Sequence, residues 1–381
     1  MDFERTDEHE RFAKVVRDFA EQVIAPQADT WDRERTFPTD VILAMGELGL
    51  FGLPFAEQYG GSGADFTTLC VAIEEIARVD SSMAITLEAG VGLGTAPIAR
   101  FGTDEQRARW LPDLCAGRAL AAFALTEPDG GSDAGATRTR ATLDGDEWVI
   151  DGAKAFITNS GTSITSLITV TARSGPDEVS AVVVPAGARG LDVGPPYRKM
   201  GWHASDTHPL SFDGCRVPSD HLLGERGGGL RQFLATLDDG RIAIAALAVG
   251  LAQGCLEQSV RYAGERVAFG KPIGAKQGIA FRCADLAVMV DAARLLTYKA
   301  AWLKDTGRPF KQAAAIAKLY ATEAAVDAAR HATQIFGGSG YLDETPVSRF
   351  YRDAKVLEIG EGTSEIQRLV ISRGLGLPVE S

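Results

Sequence analysis

The residues best suited to chemistry lie near the end of the chain, in R-D-A-K-V-L-E-I-G-E-G-T-S-E-I-Q-R from Arg352 to Arg368. Glu361 stands there between Gly360 and Gly362. A carboxylate so flanked has no side chains crowding it, and glycine lets the backbone take positive φ and approach a ligand closely. Such a group can act as a base once exclusion of water has lifted its pKa. Ser364 and Gln367 form an S-x-x-Q capping box, so the spacing predicts a helix from there to Gly374. Glu361 then sits on a tight loop ahead of a helix N-terminus, where backbone N–H groups point outward. The same spacing fits an acid that merely complements the helix dipole.

Other stretches offer polar groups at suggestive spacings. Residues 123–133 read F-A-L-T-E-P-D-G-G-S-D, with hydroxyls at Thr126 and Ser132 and approachable backbone at Gly130-Gly131; a solvated turn has the same composition. Residues 154–160, K-A-F-I-T-N-S, taken alone are a strand end. The D-D-G-R of residues 238–241 is, in isolation, a surface helix pair worth a few tenths of a kcal/mol. E-R-V-A-F-G-K-P-I follows at 265–273, with Arg suited to bidentate phosphate contact. Q-I-F-G-G-S-G at 334–340 reads as a helix end with glycine caps. The G-x-G-x-G within residues 88–97, E-A-G-V-G-L-G-T-A-P, lacks the preceding strand and the third glycine of a dinucleotide fingerprint. It reads instead as a helix whose small residues leave room for something.

The elements that must position these residues follow from periodicity. Residues 5 to about 118 are helical, with Phe12, Val15, Val16, Phe19 and Val23 at helical spacing and Pro26 stopping the run. From about 119 the pattern changes to short β-branched runs at 166–172, 179–184 and 209–212, punctuated by Gly and Pro, with a turn at Asp144-Gly145. This predicts an antiparallel β domain, a small barrel or sandwich. Long Ala- and Leu-rich helices then cover 231–267, 276–305 and 309–336. Their apolar residues wrap most of each helix, as in a bundle buried in a larger assembly.

Composition narrows the classes. The 381 residues, 45% hydrophobic and 24% charged, describe a soluble globular protein of two or three domains. A net charge of −12 argues against nucleic acid or an anionic membrane as the main partner. The acidic N-terminus has the character of neither a signal nor a transit peptide, and no apolar run approaches a membrane span. Five scattered cysteines with no C-x-x-C pair suit a reducing cytoplasm, and the histidine spacing suggests no metal site.

Taken together, these stretches resemble the acyl-CoA dehydrogenases, FAD-dependent flavoenzymes that desaturate acyl thioesters, over roughly residues 5 to 373. The short-chain, butyryl-CoA dehydrogenase branch is the most similar. The resemblance implies an α+β, mostly α, fold: an N-terminal helical domain (1–118), a middle antiparallel β domain (119–230) and a C-terminal helical bundle (231–381), with FAD between the last two. It implies that Phe123, Leu125, Thr126, Gly131 and Ser132, in a T-E-P-x-x-G-S-D motif, hold FAD, Ser132 also meeting the CoA moiety. Phe156, Ile157 and Thr158 match a K-x-W-I-T-N segment near flavin N5, with Phe156 where Trp is usual. Arg266, Phe269 and Gln277 belong to an R-x-x-F-G segment at the flavin phosphate, and Thr363 and Glu365 also fall at FAD. Gln334, Ile335, Gly337 and Gly338 would reach the adenosine half of FAD on a neighbouring subunit, which implies a homotetramer built as a dimer of dimers. Asp238, Arg241 and Gly362 would meet the acyl-CoA.

The same resemblance makes Glu361 the base that takes the α-proton while the β-carbon gives hydride to flavin N5. The thioester carbonyl would be polarised by the Glu361 backbone N–H and a ribityl hydroxyl, and electrons would pass to an electron-transfer flavoprotein. An acyl-CoA oxidase using O₂ and a non-catalytic flavin- or thioester-binding protein are the alternatives. Some members carry the base near residues 238–241, where Asp239 is the local acid. Gly360 departs from the usual Tyr before the base. It serves either a positive φ or added space for a branched or bulky acyl group.

Overall fold

Thr6 sets the start of the first helix: its hydroxyl accepts from the His9 N–H while the His9 ring reaches back to the Thr6 N–H. The computed structural model, which describes residues 5–379, continues through α1 (Asp7–Phe19), α2 (Ala28–Glu34), α3 (Thr39–Glu47), α4 (Phe66–Ala77), α5 (Ser81–Glu88), α6 (Ala96–Phe101) and α7 (Asp104–Cys115). Between α5 and α6 the glycine-rich stretch is indeed helical, but it is a π-helix over Ala89–Thr95. A π-turn is wider than an α-turn and recurs at functional sites. Its small residues admit specific neighbours: a Cβ on Gly94 would stand 2.1 Å from the Ala121 carbonyl oxygen, and one on Gly92 would stand 2.9 Å from a Glu88 carboxylate oxygen.

Strands β1 (Leu120–Ala124), β2 (Arg140–Asp144), β3 (Glu147–Thr158), β4 (Thr165–Gly175), β5 (Glu178–Pro185), β6 (Leu191–Val193), β7 (Thr207–Pro218) and β8 (Leu222–Leu223) form one eight-stranded sheet. The order is β6-β7-β3-β2-β4-β5-β8, with β1 also paired to β4. The expectation of a purely antiparallel domain is corrected here: β1 runs parallel to β4, and β2 meets β4 in parallel at Arg140 and Arg173. Parallel neighbours cannot be joined by a tight hairpin. The chain between β1 and β4 instead leaves to build the β2–β3 hairpin before returning. The sheet has its own core, to which Trp148, Ile150 and Phe212 contribute from one half and Ile168, Val170 and Val182 from the other.

The C-terminal part comprises α8 (Gly229–Glu265), the β9–β10 hairpin (Val267–Ala268 and Lys271–Pro272), α9 (Gln277–Asp305), α10 (Lys311–Phe336), α11 (Pro346–Leu357) and α12 (Ser364–Gly374). Helix α8 is buried on every side from Arg241 to Ala252 because α4, α9 and α10 pack around it. Gly250 and Gly254 allow the closest approach, where a Cβ would lie 2.2 and 2.3 Å from the Glu74 and Arg78 carbonyl oxygens of the N-terminal part. One apolar core therefore runs through both helical parts. Among the described residues, no helix is long and apolar enough to cross a membrane.

Candidate active site

The Gly-Glu-Gly loop between α11 and α12 is pinned by buried donors. Lys318 of α10, fully buried, donates to the Gly362 carbonyl at 2.8 Å, and the Gln367 amide donates to the same oxygen at 2.8 Å. The helix begins where the sequence places it, but its cap is Thr363, whose hydroxyl accepts from the Ile366 N–H. Ser364 is already the first helical residue, and Gln367 serves the loop rather than a capping box. The positive φ also falls elsewhere than expected: Glu361 itself has φ 53° and Gly362 95°, while Gly360 has no such requirement. A non-glycine residue in the left-handed region costs about 1–3 kcal/mol and is held there only by its surroundings.

This geometry aims the Glu361 side chain into the protein. Both carboxylate oxygens are buried, and a Cβ on Gly240 of α8 would stand 2.1 Å from one of them. Burial pushes Glu361 up to about 7, against the downward pull of a hydrogen bond from Glu88 and the charges of Lys318 and Arg241. Glu88, at the end of α5, is fully buried within hydrogen-bond reach. Burial and the adjacent Glu361 hold it well above the usual carboxylate range. Lys318 is pushed down by burial to about 8, with Glu361 the largest opposing influence. The Glu361 backbone N–H makes no hydrogen bond within the described residues. It is therefore available to an incoming acceptor.

Glu88 was not found from the sequence. The structure shows what spacing could not: S-S-M-A-I-T-L-E is buried at every position, and an acid ending such a helix must find a partner or stay protonated. Asp239, the alternative acid, is engaged elsewhere, 3.0 Å from Lys304 and 3.7 Å from Arg100. Gly240 is the residue of that segment that faces Glu361. The Asp238–Arg241 pair is no surface pair. Arg241 is 5% exposed and lies 2.5 Å from Asp238. Asp238 also lines, with Arg231 and Lys311, a cavity of about 540 Å³ between β5 and the start of α8.

The remaining candidates form two groups. Phe123 stacks on Phe233 of α8, ring centroids 4.0 Å apart, at the end of β1. Leu125 and Thr126 follow; the Leu125 carbonyl accepts from Lys154, and the Thr126 carbonyl from the Ala155 N–H. This ties the loop carrying Gly131 and Ser132, both exposed, to the segment carrying Phe156, Ile157 and Thr158. Ile157 points into the β core, whereas Phe156 is 65% exposed at φ 60°. The second group lies on the C-terminal helices. Arg266, exposed at the end of α8, has no ionic partner among the described residues. Phe269 is 94% exposed at φ 54°, and Gln277 opens α9. Gln334, Gly337 and Gly338 are exposed at the end of α10, but the Ile335 side chain belongs to the core and presents nothing to a neighbour. Glu365 is exposed in the first turn of α12, beside Thr363.

An exposed aromatic on strained backbone, open glycines, hydroxyls and an unpaired guanidinium are what a flat cofactor with phosphates requires. The residues present therefore fit a flavin nucleotide.

Three family models match the chain: acyl-CoA dehydrogenase N-terminal domain over residues 6–118, middle domain over 122–215 and C-terminal domain over 227–376. The chain belongs to the acyl-CoA dehydrogenase family, and is an FAD-dependent oxidoreductase of that class. It is 45% identical over 366 residues to the mitochondrial short-chain specific acyl-CoA dehydrogenase of Mus musculus, covering 96% of this chain and 89% of that one. Butyryl-CoA dehydrogenase from Megasphaera elsdenii superposes with a TM-score of 0.96 at 40% identity, covering 99% and 100% of the two chains. A chain from structural work on the electron transferring flavoprotein of Acidaminococcus fermentans gives 0.96 at 40% identity, covering 98% and 99%.

Proposed function

We propose that this protein converts a short or branched acyl-CoA to the trans-2-enoyl-CoA, with Glu361 as the base for the α-proton. The observation that carries this is the Glu361 carboxylate, buried on a strained, pinned loop with its pKa lifted to about 7. A base poised there is substantially ionised near neutral pH yet strong enough to help, because water no longer stabilises its charge. The Glu361 N–H, left without a protein partner among the described residues, supports a role in polarising the thioester carbonyl, where preorganised donors act best. Bound FAD supplies the hydride acceptor. Phe123, Leu125, Thr126, Phe156 and Thr158 would hold its ring system, Arg266 and Ser132 its phosphates. Asp238, Arg241 and Gly362 would face the acyl-CoA.

Electron transfer to an electron-transfer flavoprotein is supported by the likeness to the Acidaminococcus chain. The exposed apolar residues Phe269, Phe281, Val288 and Tyr341 support a homotetramer in which Gln334, Gly337 and Gly338 reach a neighbour's FAD. The matched ranges and the separate β core support domains at 1–118, 119–230 and 231–381. A cytoplasmic setting fits the bacterial relatives. An anaerobic screen tests the reading: short or branched acyl-CoAs should bleach the flavin and yield enoyl-CoA, and the reduced enzyme should pass electrons to an electron-transfer flavoprotein faster than to air. If no acyl-CoA bleaches the flavin, the reading fails.

A further inference from the structure

We propose that Glu88 and Glu361 share a proton, with Glu88 the protonated member whose O–H holds Glu361 ionised, so that Glu88 is a positioning residue for the base. This rests on the reading of Glu361 as the base. All four carboxyl oxygens of the pair are buried and receive no hydrogen bond from any N–H or hydroxyl group among the described residues. Yet the two groups lie within hydrogen-bond reach of each other. Two carboxylates cannot both be ionised at such a distance in a water-excluded site, and two acceptors attract only when one carries a proton.

The surroundings decide which one. Glu361 faces the Lys318 ammonium on α10 and the Arg241 guanidinium on α8, both of which favour its charge. The acids Glu358 and Glu323 act on Lys318, and Asp238 is paired to Arg241. Glu88 feels no cation; burial and Glu361 alone act on it. The proton therefore resides on Glu88. The π-helix makes the meeting possible. It begins at the residue after Glu88, and Gly92 and Gly240 leave the space that the two carboxyls occupy. When Glu361 receives the α-proton, the pair holds two protons, and one leaves after product departs. The pair, not Glu361 alone, sets the acid limb of the pH profile.

The test compares Glu88→Gln, whose amide still donates, with Glu88→Leu, which fills the space without a donor. Both are purified with FAD bound, and the pH dependence of kcat/KM is read by anaerobic flavin reduction with butyryl-CoA. Glu88→Gln should keep the acid limb near the wild-type position. Glu88→Leu should move it to higher pH by about one unit or more, because the buried base loses the bond that favours its charge. An unmoved limb in Glu88→Leu, or equal shifts in both variants, would overturn the proposal. Infrared spectroscopy of wild type at about pH 8 adds a readout independent of activity and of the Leu variant's folding. A protonated carboxyl band should be present there and absent in Glu88→Gln; no difference between the two would overturn the shared proton. If Glu361 is not the base, Glu361→Gln retains flavin reduction while the infrared band still reports the pair, so the two readings fail separately.

Discussion

Gly360 and Glu361 divide two roles that look alike in the sequence. The left-handed backbone belongs to Glu361, and a Cβ on Gly360 would meet nothing closer than the Val356 carbonyl oxygen at 3.5 Å. Backbone need therefore does not explain Gly360, which leaves space beside the base as its contribution. Wild type should accept α- or β-branched acyl-CoAs, and Gly360→Tyr should lower kcat/KM for them roughly 10–200-fold more than for butyryl-CoA. Equal losses on both substrates would refute the steric reading. The burial of Glu361 has a second consequence. Its folded pKa of about 7 is above the ordinary carboxylate value, so its contribution to stability is fully present below that ordinary value and is lost as pH rises through 7. Glu361→Gln should therefore melt above wild type at about pH 8, with the gap closing as pH falls toward about 5. A gap independent of pH would show that the carboxyl is not perturbed.

At the scale of elements, the link between β1 and β3 ties the candidate flavin loop to the sheet. Lys154, fully buried in β3, donates to Glu127, to the Leu125 carbonyl and to Thr171. Burial pushes Glu127 up, but the Lys154 pairing and the Arg138 and Thr139 N–H donors hold it below its ordinary value. Lys154→Met would leave that carboxylate buried without its counter-charge, a loss of about 3–5 kcal/mol. The expected result is a lower Tm together with FAD lost on dialysis; unchanged FAD retention would show that the loop does not depend on this pair. These elements were unevenly legible. The long helices were plain because Ala and Leu recur at helical spacing, and α12 because T-S-E-I-Q signals a helix start. The parallel β1–β4 pairing was not, since a five-residue apolar run carries no mark of its partner's direction. The π-helix was not, because its glycines suit several backbones. Glu88 was missed for a related reason: a partner 273 positions away leaves no trace in local spacing, 361 − 88 being the separation in the chain.

For the whole molecule, the helical parts share one core while candidate flavin residues such as Gly131, Ser132, Phe156, Arg266, Phe269 and Gln277 are exposed. Phe269, Phe281, Val288 and Tyr341 are each largely exposed apolar side chains on the C-terminal part. A neighbouring subunit covering them would place Gln334, Gly337 and Gly338 against its FAD. Dissociation and cofactor release should then occur together: in a mild urea titration, loss of the proposed assembly's mass by light scattering should coincide with release of FAD. Two separated transitions would mean that each subunit holds its flavin alone. The motifs implied this arrangement only through resemblance, because surface that folding leaves exposed and surface that assembly buries have the same composition.

The central claim is that Glu361 takes the α-proton, and anaerobic single-turnover reduction of the flavin by butyryl-CoA tests it most directly. Glu361→Gln keeps the shape of the side chain, so the variant should retain FAD and bind acyl-CoA. Losing the only base should slow flavin reduction by roughly 10²–10⁴-fold or more. Reduction at near wild-type rate, with FAD and substrate bound, would contradict the account and place the base on another residue.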